Sequence, residues 1–219
     1  MKRALFAWGG WDGHEPKQTT ERASAALAGA GFEVEVSDTL DAFKDVEKVK
    51  SFDLIVPCFT MTDISGEQWA GMDQAVRSGV GFAGWHGGAG DAFRMNTGYQ
   101  FMVGGQWVAH PGGGVEYEVK LLSYTDDPII RGLSDFKMHS EQYYMHVDPS
   151  NETLAVSILC GPEAIAEAPW IKGCIMPAVW KRKYGEGRVF YSSLGHCAAD
   201  FDVPEVLEIL KRGMIWAAR

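Results

Sequence analysis

Three features of the sequence predict an α/β fold built on a doubly wound, mostly parallel sheet, with an added β-hairpin and a loop-rich insertion. Short apolar runs alternate with amphipathic stretches through the first two-fifths of the chain, their connections are short, and Asp53–Phe59 is almost wholly apolar. Uninterrupted apolar strands mark parallel sheets covered on both faces, and strand–helix–strand alternation supplies the helices that cover them.

Taken in order, Arg3–Trp8 reads as the first strand and Gly9–Pro16 as a loop. Gln18–Ala30 is a helix with Ala23, Ala26, Leu27 and Ala30 on one face, closed by Gly31. Phe32–Ser37 alternates in period two, and Asp53–Phe59 is a buried strand. Ser65-Gly66-Glu67-Gln68 has capping-box spacing and opens a helix that runs to Arg77. Gly79–Trp85 is the fourth strand. Residues 87–114 hold nine glycines and read as a loop with one helix. Val115–Leu122 and Thr153–Leu159 are strands, separated by turns and short strands over 124–150. Ile175–Lys181 and Arg188–Ser193 flank Gly185-Glu186-Gly187 as a hairpin, and Val203, Val206, Leu207, Leu210, Met214 and Ala217 stripe a closing helix. No repeat or linker interrupts this pattern, so residues 1–219 are expected to form one domain.

At 219 residues, a single core buries roughly 70% of the unfolded surface. A net charge of −9 and no basic run longer than Lys181–Lys183 exclude a nucleic-acid partner, since phosphate binding needs clustered positive charge. No apolar segment approaches a membrane span, and the opening MKRALFAWGG is too short in apolar residues for a signal peptide. Four scattered cysteines without a CxxC pair fit a reducing, cytoplasmic setting. Eight tryptophans and nine methionines leave room for a homo-oligomer.

In doubly wound sheets the ligand lies beyond the carboxyl ends of the strands. His14, His86 and His196 each follow a predicted strand, and His110 lies in the glycine-rich segment. His86, in Gly84-Trp85-His86-Gly87-Gly88, has the shape of a nucleophile elbow, with imidazole where serine or cysteine would stand. Imidazole suits acid–base work or metal ligation. His86 and His196 are the expected catalytic bases, and Glu141, beside Tyr143 and Tyr144, is the expected carboxylate. His139 and His146 read as exposed or structural. Asp12 shares the first loop with His14 and competes for a helix-capping role. Histidines 14, 86, 110 and 196 with one carboxylate form a ligand set for a divalent metal, zinc or manganese. Trp11, Trp85, Trp107, Tyr143 and Tyr144 crowd the same loops and suit a small-molecule sugar. No nucleotide cofactor is expected.

The set Gly9-Gly10-x-x-Gly13-His14, Gly84-x-His86-Gly87-Gly88, Gly104-Gly105-Gln106 to His110-Pro111, Asp127-Pro128-Ile129 to Gly132-Leu133, Glu141-x-Tyr143-Tyr144 and Gly185-x-Gly187-Arg188-Val189 to Gly195-His196 resembles the trehalose-utilization ThuA-like family. The resemblance runs on to Arg212-Gly213-x-x-Trp216 and implies a flavodoxin-like, class I glutamine amidotransferase-like fold. It adds Gln106 to the expected substrate-binding residues Trp11, Asp12, Trp85, Tyr143 and Tyr144. The amidotransferase triad has cysteine at the elbow and a late His-x-Glu, whereas here His86 holds the elbow and Cys197-Ala198 follow His196, so glutaminase activity is not expected. What the resemblance implies is sugar catabolism beside dehydrogenases that oxidise the 3-hydroxyl of glucosides and disaccharides, hence a lyase, hydrolase or isomerase acting on 3-keto sugars such as 3-keto-trehalose. Two other classes compete: a non-catalytic sugar-binding module, and a cysteine hydrolase using Cys58 or Cys197.

Overall fold

The computed structural model describes residues 1–219. In chain order its elements are β1 (Arg3–Gly10), α1 (Pro16–Gly29), β2 (Glu33–Ser37), α2 (Val46–Lys50), β3 (Leu54–Thr60), α3 (Gly66–Arg77), β4 (Gly81–Trp85), α4 (His86–Gly90), α5 (Thr97–Val103), β5 (Gly105–Ala109), β6 (Gly114–Leu121), β7 (Phe136–Glu141), β8 (Tyr144–Val147), β9 (Glu152–Leu159), α6 (Pro162–Glu167), β10 (Cys174–Tyr184), β11 (Gly187–Ser192) and α7 (Pro204–Ala217). Nine strands form one mixed sheet in the order β2-β1-β3-β4-β11-β10-β9-β6-β7. The first five run parallel, and the rest extend the sheet by antiparallel pairing.

Period two sends alternate side chains of each strand into different cores. On β1, Leu5 and Ala7 enter one buried cluster with Phe82, Val189 and Tyr191, while Ala4 and Phe6 enter the other with Ala83 and Phe190. The stripe on α7 packs into the second cluster, as its sequence requires. Each fully buried Leu or Phe contributes about 1.5–3 kcal/mol on removal from water, which makes these two layers the main source of stability. Ser65 caps α3 as its spacing predicted, and Gln68 returns the bond. Parallel pairing of β4 with β11 (Phe82 opposite Val189, Gly84 opposite Tyr191) joins segments more than a hundred residues apart. No helix is long and apolar enough to cross a membrane.

One expectation changes. The glycine-rich segment contains two short helices and a strand, not one helix in a loop. That strand, β5, pairs antiparallel with β8 as a separate two-stranded sheet. Its partner lies about forty residues away along the chain, so no local alternation could reveal it. The 124–150 excursion holds short strands as expected: β7, which is an edge of the main sheet, and β8.

Candidate functional site

The turn between β4 and α4 is the sharp elbow the glycines foretold. Trp85 is extended, and His86 then takes φ 42°, a left-handed conformation uncommon for a side chain of this size. Buried Tyr191 holds the strained residue by donating its hydroxyl to the His86 carbonyl at 3.0 Å. A Cβ on Gly88 would stand 2.6 Å from the sulfur of Cys58, so α4 can lie this close to β3 only with glycine there. Gly88→Ala is therefore expected to lower stability by about 1–3 kcal/mol through overpacking, visible as a reduced melting temperature.

Around Glu141, at the end of β7, four imidazoles converge. Its Oε2 lies 3.1 Å from His86 Nε2 and 3.6 Å from His14 Nε2, and its Oε1 lies 3.6 Å from His110 Nε2 and from His196 Nδ1. Loops after β1, β4, β5 and β11 deliver these rings, and β7 brings the carboxylate across from the antiparallel side. Burial alone would raise the Glu141 pKa, but hydrogen bonds from His14 and His86 and nearby imidazole charge outweigh it and hold the carboxyl well below its usual range. Burial pushes His86 down to about 4, against the opposing hydrogen bond with Glu141, so its ring is neutral near pH 7.

That neutral ring has one N–H. Its Nδ1 lies 2.9 Å from the Ser193 carbonyl, which can only accept. Nε2 lies 3.1 Å from the Glu141 carboxylate, which also only accepts, so the one N–H of a neutral ring serves one of these two acceptors. The donor atoms of His14, Glu141 and His196 lie within 4.8 Å of one another, a two-histidine, one-carboxylate set suited to a divalent metal. His14 is further oriented by Thr60, whose hydroxyl is 2.9 Å from Nδ1, leaving Nε2 facing the carboxylate. Of the four histidines expected to hold a metal, His14 and His196 belong to this set with Glu141, and His86 and His110 lie outside it.

A cavity of about 210 Å³ opens beside this cluster, with His14, His110, Tyr143, Trp11 and Trp107 among its walls. His86 is not on that wall. It is 1% exposed, covered by Tyr143 at a ring separation of 4.0 Å and by His196 at 5.3 Å, so it faces Glu141 and not a ligand. The imidazoles that reach the cavity are those of His14 and His110, and His110 Nδ1 has no partner within the protein.

Of the expected sugar contacts, Trp11 is half exposed, packs edge-on against His14 and lines the cavity, as does buried Tyr143. Trp85 does not. Its ring is buried against Phe201 in the second core, because the elbow turns His86, and not its predecessor, toward the site. Tyr144 lies on β8 beside His146, and period two points it away from Tyr143. Gln106 lines a neighbouring groove with His146, although its Nε2 comes within 3.5 Å of Asp91. Asp12 is exposed, and only its backbone carbonyl acts, accepting from Glu15 N–H. His139 is exposed and pairs with Glu116. Cys58 is buried beneath the elbow and burial pushes its thiol up to about 12, while burial also raises Cys197, so neither is an activated nucleophile.

Three residues of the site carry no signal that sequence reasoning could use. Asp200 accepts from Ser140 Oγ at 2.7 Å and from His196 N–H at 2.9 Å, tying the β11 loop to the strand that ends in Glu141. Asp91 and Arg94 form a bidentate pair on the cavity wall. All are ordinary loop residues until the fold brings them in.

Comparison with known proteins places this geometry in context. No curated protein sequence matches the chain. Its structure is similar to that of a putative ThuA-like protein from Bacteroides uniformis (TM-score 0.77, 17% identity, 99% of this chain and 91% of that one). A putative ThuA-like protein from Parabacteroides merdae is similar to the same degree (TM-score 0.77, 18% identity, 99% and 89%). A β-galactosidase from Bacillus circulans shares the fold over 98% of this chain but only 30% of its own, with TM-score 0.61 and 16% identity. The family model for trehalose utilisation, ThuA, matches residues 3–217. The chain belongs to the ThuA trehalose utilisation family.

Proposed function

We propose that the protein acts on 3-keto glycosides, such as 3-keto-trehalose, by removing the proton on C2 and expelling the substituent on C1. A 3-keto group acidifies the C2 proton, so an imidazole can take it. His110 is the residue placed to do so: it lines the cavity, its side chain is 36% exposed, and its Nε2 lies 3.6 Å from Glu141. Proton transfer to His110 creates an imidazolium that the Glu141 carboxylate stabilises. The electron pair left at C2 forms the enolate of the 3-ketone. Its return breaks the C1–O bond, and the departing alcohol takes back a proton from His110, so the step needs no other reactant. Water added to the resulting enone gives net hydrolysis, and reprotonation at C2 without C1–O cleavage gives isomerisation. A divalent ion held by His14, Glu141 and His196 would supply Lewis-acid stabilisation of the enolate oxygen. Tyr143, stacked on His86, closes the floor and excludes water from the carboxylate.

The observation that carries this reading is one buried carboxylate ringed by four imidazoles, two of which, His14 and His110, line a sugar-sized cavity. The test is to incubate the purified protein with 3-keto-trehalose, with and without a chelator, and follow glucose release. Turnover is expected, with loss on chelation, and His110→Asn is expected to reduce kcat by about 10²–10⁴ while the sugar still binds. Binding with no turnover of any keto sugar would instead identify a sugar-binding module.

A further inference from the structure

The end of the cavity away from Glu141 is built as carefully as the histidine cluster. Arg94 Nε and Nη2 donate to the two oxygens of Asp91 at 2.6 and 2.7 Å. Asp91 is nearly buried, its side chain 4% exposed, whereas that of Arg94 is 45% exposed. Asp91 is fixed by its backbone, donating to the Gly87 carbonyl at 3.1 Å and accepting from Met61 N–H at 3.0 Å, so it rides on the same elbow as His86. The guanidinium lies over Trp107, 5.0 Å from the ring centroid, and the buried Trp107 indole nitrogen has no partner. Gln106 completes the backing, with Nε2 3.1 Å from the Trp107 carbonyl and 3.5 Å from Asp91.

We propose that the Asp91–Arg94 pair is the hydroxyl-recognition subsite of this cavity and restricts it to one neutral sugar ring bearing adjacent hydroxyls. Two of the three guanidinium nitrogens are committed to Asp91, which fixes the plane of the fork and leaves Nη1 and one Nη2 hydrogen facing outward. Those parallel donors suit two neighbouring hydroxyl oxygens. The charge of Arg94 is already balanced by Asp91, so an anionic substituent would gain little there and would have to be desolvated. A volume of about 210 Å³ falls below the ~300–1,000 Å³ that drug-sized ligands occupy, so one ring enters and the second unit of a disaccharide projects outward past Trp11. The inference rests on the keto-sugar reading for the identity of the ring, but recognition is measurable without chemistry.

The test titrates the full-length protein with glucose, trehalose and glucuronate, following sugar binding by isothermal titration calorimetry. Glucose and trehalose are expected to bind within a few-fold of each other, and glucuronate no tighter than glucose. Arg94→Gln and Arg94→Lys are both expected to weaken binding about tenfold or more, because lysine keeps the charge but loses the fork. In turnover assays with 3-keto-trehalose the same variants should raise KM, with kcat within a few-fold of wild type. Unchanged affinity in Arg94→Gln, glucuronate binding tenfold tighter than glucose, or no sugar binding by the wild type would each overturn the proposal. Normal sugar binding with no keto-sugar turnover would remove the reaction and support the subsite.

Discussion

Glu141→Gln is expected to abolish turnover of 3-keto-trehalose, a loss of at least about 10³-fold, while the far-ultraviolet circular dichroism spectrum stays that of the wild type. The substitution keeps shape and removes one negative charge. That charge is what His14, His86, His110 and His196 share, at 3.1–3.6 Å from one carboxylate. A neutral amide would leave the His110 imidazolium without its counter-charge and would offer a divalent ion one weak carbonyl ligand in place of an anionic one. Metal content per mole of protein, measured after dialysis against zinc or manganese, should fall in parallel. Wild-type turnover by the Gln variant would show that the carboxylate is not part of the reaction.

Asp200→Ala is expected to cost about 3 kcal/mol, or roughly 6–12 °C in melting temperature for a chain of this size. Asp200 is 7% exposed, and its Oδ2 accepts from the Ser140 hydroxyl and the His196 backbone N–H. Truncation leaves the buried Ser140 hydroxyl and the half-buried His196 N–H without their acceptor, at about 1–3 kcal/mol for a buried group. The same bonds set the distance between the loop carrying His196 and the strand carrying Glu141, so metal affinity should fall as well. Asp200→Asn keeps one acceptor oxygen and should recover most of the melting temperature, which separates the packing effect from the effect on His196. A melting temperature within 2 °C of wild type in Asp200→Ala would show that these bonds are already replaced by solvent.

How much of this was readable beforehand depends on the range of the forces involved. The parallel half of the sheet was legible because period-two burial and apolar runs are local: β1, β3 and β4 begin and end within about two residues of their expected limits. The elbow was legible too, since the glycines around His86 serve a turn only a few residues long. Convergence of His14, His86 and His196 followed from the rule that loops at the carboxyl edge of a sheet meet, whereas His110 arrives after β5 of the small sheet and Glu141 on antiparallel β7. The roles within that cluster were not legible. Which imidazole is covered and which faces a ligand depends on where Tyr143 packs, and the strand that follows it, β8, pairs with β5, which is hidden among glycines. Trp85 shares its loop with His86 in the sequence, but adjacent residues at a sharp turn point opposite ways, and its ring enters the core. Asp91, Arg94 and Asp200 act through partners that no sequence spacing announces.

The pairing of β4 with β11 has a consequence for the way the molecule is made. During synthesis the elbow strand emerges with one edge open, and the strand that closes it arrives only after roughly a hundred further residues. Contacts of such long sequence separation slow folding, because chain closure must precede their reward. His196, and with it the last donor to the carboxylate, reaches its place only when β11 docks. Ligand capture should thus be the final event of folding, and a nascent chain lacking its last thirty residues should bind neither metal nor sugar.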